Sequence, residues 1–138
     1  MNFTRVRLAF AVLIVAIVGF LGVRAIGQAA GPAPVNVATK AFPITVAAGD
    51  YELINQVLEL PAGSGVPKHI HGGPVVATVI SGELTLTDAS GRRVLKAGQS
   101  LTEKTGYEHA VANRSTGTVR LAVSYLIPKG GAQITIVK

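Results

Sequence analysis

Cysteine is absent from this chain. That excludes disulfide staples and thiolate-ligated metals, so stability has to come from an ordinary packed core. Tryptophan is absent as well, and the three tyrosines and four phenylalanines are too few to build a base-stacking platform. Runs of like charge are also missing, and no basic stretch exceeds the pair Arg92 and Arg93. The formal charge of +6 overstates the domain, because Arg5, Arg7 and Arg24 sit in or beside an apolar leader. Past residue 30, ten Lys and Arg stand against seven Asp and Glu, an excess of only +3. An excess so small and scattered excludes nucleic acid as a partner. Helical periodicity is the last absence, since nothing after the leader repeats every three to four apolar residues.

The leader itself is distinct. Residues 1–7 carry Arg5 and Arg7, and residues 8–23 are uninterrupted by charge. A basic start followed by an apolar run is the secretory-targeting pattern. As a helix the run spans roughly 24 Å, a little short of the ~30 Å hydrocarbon core. Extension through Ile26 takes in Arg24, whose charge can snorkel to the interface. Gly27 and Ala29 supply the small residues a signal peptidase reads. Residues 1–29 are therefore expected to be an N-terminal hydrophobic helix, either a cleaved signal peptide or a membrane anchor. Both readings place the rest outside the cytoplasm, secreted, periplasmic or anchored, with the membrane touched only through this segment. Residues 30–41, which include Gly31, Pro32 and Pro34, read as a flexible linker.

From residue 42 to residue 138 the chain is a series of short β-branched runs punctuated by Gly, Pro and Asp. Runs at 42–46, 51–60, 75–80, 83–87, 92–95, 99–102, 109–113, 118–128 and 133–137 predict strands. Many short strands at near-regular spacing argue an all-β sandwich or barrel.

Within that domain all three histidines fall between Gly65 and Asn113. His69 and His71 are two apart, so one strand aims both imidazoles at the same face. His109 lies on a later strand; if it meets them, three neutral nitrogen donors make a facial set suited to Zn, Fe, Cu, Ni or Mn. With these rings inward, alternation sends Val75, Ala77, Val79, Val111 and Asn113 inward too. The resulting cavity is mostly aliphatic, as small-ligand pockets commonly are. Glu108 falls on the opposite face from His109 and reads as solvated surface. Gln56, Tyr107 and Tyr125 are candidate polar groups around the pocket, and Gly82 and Gly98 read as turn residues with positive φ.

This arrangement resembles the cupin superfamily, small double-stranded β-helix (jelly-roll) barrels with two motifs. Gly63, His69, His71 and Gly82 fit the first, with Val75 where the family places a glutamate. Gly98, Gly106, His109 and Asn113 fit the second, with Lys104 in place of a proline. The resemblance implies a divalent metal held by His69, His71 and His109, in a three-histidine variant without the carboxylate. Such a site has charge +2, with three open positions if octahedral or one if tetrahedral. The resemblance also implies homodimers through edge strands, with 42–46 or 133–137 as the edges. Two functional readings stay open: a mononuclear metal dioxygenase acting on a small apolar or aromatic substrate, and a non-catalytic cupin binding a metal or small ligand. No general acid or base beyond the ligands is identified, so the catalytic residues stay unassigned.

Overall fold

Short β-strands make up more than half of the described residues. The computed structural model describes residue 36 and residues 38–138, and Thr39–Lys138 form one unit. The leader and most of the linker lie outside the described residues. Among the described residues, no helix is long and apolar enough to cross a membrane.

Among the described residues nine strands follow in order: β1 (Tyr51–Leu60), β2 (Gly65–Ile70), β3 (Val75–Ser81), β4 (Glu83–Asp88), β5 (Gly91–Lys96), β6 (Ser100–Glu103), β7 (His109–Ala112), β8 (Val119–Pro128) and β9 (Thr135–Ile136). They form a four-stranded sheet, β1-β8-β3-β6, and a five-stranded sheet, β5-β4-β7-β2-β9. Pairing within both is antiparallel. The connections repeatedly cross from one sheet to the other, which makes the fold a double-stranded β-helix.

Alternation decides the faces. Val119, Leu121, Val123, Tyr125 and Ile127 of β8 are buried, while Arg120 and Ala122 between them are exposed. Val75, Ala77 and Val79 of β3 point inward as the sequence predicts. They meet Leu84 and Leu86 of the opposite sheet in one apolar core. Burying that aliphatic surface is the main stabilising term, at about 25 cal/mol per Å² removed from water.

Two expected edge strands change. Residues 42–46 form no ladder, and Ile44 and Val46 stay exposed. Pro43 lacks the N–H a ladder needs, and the segment is tied down instead by Lys40 Nζ donating to the Ser100 carbonyl at 3.0 Å. The 133–137 run shortens to the two residues of β9, because the Gln133 carbonyl accepts a hydrogen bond from a histidine instead (below).

The turn at Gly82, with φ of 82°, takes the left-handed backbone that only glycine adopts at little cost. It reverses β3 into β4 and so hands the chain from one sheet to the other. Asn113 is buried as expected, yet it serves the fold rather than the pocket. Its amide donates to the carbonyls of Leu60 (2.8 Å) and Gly117 (2.6 Å) and accepts from the Ser115 backbone at 3.0 Å.

Candidate metal centre

β2 and β7 are hydrogen-bonded neighbours, and His69 and His109 are direct cross-strand partners. The register reaches that pairing through a bulge. From Val66↔Val111 to His69↔His109, β2 takes three steps while β7 takes two. Pro67, inside the extra step, has no N–H to lose from the ladder, so the irregularity costs little there. β2 ends at Ile70, so His71 lies just past the strand, where one continuous strand was expected, and enters the loop crossing to β3. Its ring still falls beside the others. Ring centroids are 4.2 Å (His69–His109), 4.8 Å (His69–His71) and 5.2 Å (His71–His109) apart.

All three rings are buried, and a backbone carbonyl fixes the tautomer of each. His69 Nδ1 lies 2.8 Å from the Pro67 carbonyl, His71 Nδ1 2.8 Å from that of Gln133, and His109 Nδ1 3.0 Å from that of Tyr107. A carbonyl only accepts, so Nδ1 carries the hydrogen in each ring. In the neutral ring Nε2 is then left as a bare lone pair. Carbonyl-anchored imidazoles of this kind orient metal ligands. One donor atom from each histidine lies within 4.8 Å of the others. Two ligands on opposite sides of an ion sit roughly 4.2 Å apart, so small inward shifts bring the three onto one ion.

A fourth group, beyond the three histidines that the sequence singles out, lies against the cluster. Val75 does occupy the motif's glutamate position and is wholly apolar. Its register partner on the neighbouring strand, however, is Glu103, the last residue of β6. The Glu103 side chain is buried, with Oε2 3.1 Å from His71 Nε2 and Oε1 2.9 Å from His109 Nε2. The carboxylate thus enters from the four-stranded sheet, facing histidines carried by the other. An ion held by all four residues would leave a site of charge +1 rather than +2. An octahedral ion would keep two open positions rather than three.

This donor set tests itself. With Nδ1 of His71 and His109 donating to carbonyls, neutral rings would point two lone pairs at a carboxylate, which is repulsive at about 3 Å. Something positive must sit between them, either protons on Nε2 or a metal cation, and the geometry fits both.

The proton-bearing state sets the charges of the metal-free protein. Burial opposes ionisation of Glu103, but hydrogen bonds from His109 and His71 prevail and bring its pKa down to about 2. Burial also opposes protonation of His109, yet the hydrogen bond and charge of Glu103 raise its pKa above the usual value. His69, dominated by burial and only partly offset by the Pro67 carbonyl, is lowered.

A depressed carboxylate contributes stability above its unfolded pKa of 4.5, and that contribution is lost as pH falls toward 2. For Glu103 this is on the order of 3 kcal/mol. His109, being raised, contributes below pH 6.5, and its share is lost as pH rises through its folded pKa. Urea midpoints of the metal-free protein are therefore expected to fall steeply between pH 4.5 and 2 and again on the alkaline side of 6.5. A flat profile through the acid limb would mean Glu103 is not held by the histidines.

The remaining candidates divide between the inside and the outside of the barrel. Tyr125 is buried and lines the cavity, its ring edge-on to His71 at 5.3 Å. Gln56 Nε2 donates to its hydroxyl at 3.0 Å, and burial raises the pKa of the phenol, which keeps its proton. Tyr107 lies outside the cavity. It stacks on His109 at 5.6 Å, donates its hydroxyl to Asp88, and shares that carboxylate with Arg93 Nη1 at 2.6 Å. Glu108 pairs with Lys68 at 2.6 Å on the surface, as expected, and Lys104 is exposed. The cavity itself holds about 40 Å³, and its wall is aliphatic apart from the four clustered residues and Tyr125.

Comparison with known proteins agrees with this architecture. The family model of the cupin domain matches residues 56–125. An uncharacterized conserved protein with a double-stranded β-helix domain from Klebsiella pneumoniae superposes with a TM-score of 0.52 at 23% identity, over 69% of this chain and 81% of that one. The polyketide cyclase RemF from Streptomyces resistomycificus gives 0.55 at 16% identity, over 62% and 61%. A predicted oxalate decarboxylase from Thermotoga maritima gives 0.50 at 23%, over 54% and 65%. At such identities the likeness is one of fold. No curated protein matches the chain.

Proposed function

This chain belongs to the cupin domain family, and on that premise we propose that it binds one divalent transition-metal ion. Nε2 of His69, His71 and His109 and the carboxylate of Glu103 would hold it, beside room for a ligand of a few atoms. One observation carries the reading: three buried imidazoles, each tethered through Nδ1, turn their remaining nitrogens toward one point where a buried carboxylate also ends. Three imidazoles and one carboxylate suit Fe, Mn, Zn, Ni or Cu. Such an ion supplies Lewis acidity and, if redox-active, electron exchange.

The chain's own residues do the rest. The carbonyls of Pro67, Gln133 and Tyr107 hold the rings in register. Glu103 removes one unit of positive charge from the centre. Leu58, Val66, Leu121 and Val123 line the cavity with apolar surface, which lowers the local dielectric and strengthens electrostatic interactions inside. A cavity of about 40 Å³ takes roughly three water-sized groups in all, the ion's own share included. The substrate class therefore narrows from small apolar or aromatic molecules to very small ones, with oxidoreductase chemistry on such a molecule as the leading activity. The non-catalytic alternative draws on a separate observation: among the described residues, Tyr125 is the sole polar side chain in the cavity wall beyond the four clustered ones. The leader supports placing this activity outside the cytoplasm.

The test is metal analysis of natively expressed protein, followed by oxygen uptake with small acids, thiols and diketones. About one ion per chain is expected. Substoichiometric traces that no added metal can raise would sink the reading. Stoichiometric metal with oxygen uptake supports the enzyme, and stoichiometric metal without it the binding role.

A further inference from the structure

Two amides and a phenol form a short relay at the edge of the aliphatic cavity. Gln133 Nε2 donates to Gln56 Oε1 at 3.3 Å, and Gln56 Nε2 donates to the Tyr125 hydroxyl oxygen at 3.0 Å. Both bonds run the same way, toward Tyr125. Gln133 also gives its backbone carbonyl to His71 Nδ1, so the residue that starts the relay fixes one of the clustered imidazoles as well. The phenol oxygen is thereby used as an acceptor, and among the hydrogen bonds of the described residues none is donated by Tyr125. Tyr125 is 3% exposed and lines the cavity. The apolar residues of the wall have nothing to accept its hydroxyl proton, and the cavity is the remaining direction.

Tyr125 is also well placed for a ligand at the cluster. It shares a row of the four-stranded sheet with Val75 and Glu103, since Val75 is register partner to both. Its ring meets the edge of His71. A centre of three neutral imidazoles, one carboxylate and a divalent ion retains one positive charge, which favours an anion at an open position. An acceptor atom of such an anion is what an inward phenol hydroxyl needs.

We propose that the pocket selects a small monoanion of a few heavy atoms, held by a hydrogen bond from the Tyr125 hydroxyl that Gln56 and Gln133 aim inward. This rests on the metal-centre reading above and adds the ligand's charge and size to it. A neutral apolar guest would leave the phenol proton unmet, and an unpaired donor in a buried place is costly.

The experiment uses the full chain loaded with Cu(II), with azide as the probe, followed by its charge-transfer absorption. Wild type is expected to bind azide at the metal. Tyr125→Phe keeps the ring against His71 and removes only the hydroxyl. It is expected to load the same amount of copper while azide affinity falls at least about tenfold, the size of a hydrogen bond to a charged group. Gln56→Leu, at the less buried end, is expected to weaken azide in the same direction with the hydroxyl still present. Equal azide affinity in wild type and both variants, at equal copper content, overturns the proposal and leaves the metal centre standing. So does a copper-loaded wild type that takes up no azide. A wild type that holds no copper overturns both.

Discussion

Replacing His109 with alanine is expected to leave a protein that no longer retains a divalent ion through dialysis. The loss has two parts. One imidazole nitrogen leaves a set of four donors, and Glu103 loses the nearer of its two partners, the Nε2 at 2.9 Å. Losing an outer-shell partner typically weakens metal sites ten- to a hundredfold, and losing a direct ligand should exceed about a hundredfold. Metal-free stability should fall too, because a buried carboxylate stripped of a partner is costly and the missing ring leaves a cavity. Metal content by mass spectrometry, with circular dichroism to confirm the β fold, separates the two effects. A folded His109→Ala protein that still holds its full complement of metal would end the assignment.

Glu103→Gln is expected to show an almost opposite division. Glutamine keeps the shape and removes the charge. Its Nδ1-tethered neighbours can remain neutral, because the amide offers a donor to one Nε2 lone pair, and the metal-free fold is then expected to survive near neutral pH. Metal affinity is expected to drop by about a hundredfold or more, since the sole anionic donor is gone. The acid limb of the stability profile should flatten as well, because no carboxylate is left to protonate between pH 4.5 and 2. Isothermal titration with Zn(II) and urea midpoints across that range measure both. Unchanged metal affinity would show that Glu103 stands beside the ion rather than on it. The same geometry argues against rebuilding the motif at Val75. A glutamate there would stand directly beside Glu103 in the register, two carboxylates at one buried place.

Much of this was legible in the residues. Alternation gave the inward set Val75, Ala77 and Val79, and the spacing of His69 and His71 put two rings on one side although His71 falls beyond the strand. Gly82 marked its turn through the backbone it requires. Glu103 was not found, for a definite reason. The strand read from the sequence stops at Thr102, one residue short. Leu101 is inward, and one further alternation step makes Glu103 inward as well. A motif written along the chain places the carboxylate on the strand after the histidines. Here the carboxylate comes from that strand's hydrogen-bonded neighbour, a displacement of one strand spacing sideways and of 28 positions in sequence, from Val75 to Glu103.

The amino-acid order alone determined the class of fold and the three imidazoles, because period-two burial and i, i+2 spacing are local properties of a strand. It also determined that no thiol could share in the chemistry. Only the tertiary structure decided the fourth member of the cluster, the tautomers of the rings and the hydrogen bond that Gln56 donates to the Tyr125 hydroxyl. Each of these depends on which strand lies beside which and on carbonyls contributed from elsewhere, as when Gln133 reaches back to His71. Cross-strand register and the meeting of two sheets are fixed by packing the whole core, and no window of neighbouring residues contains them.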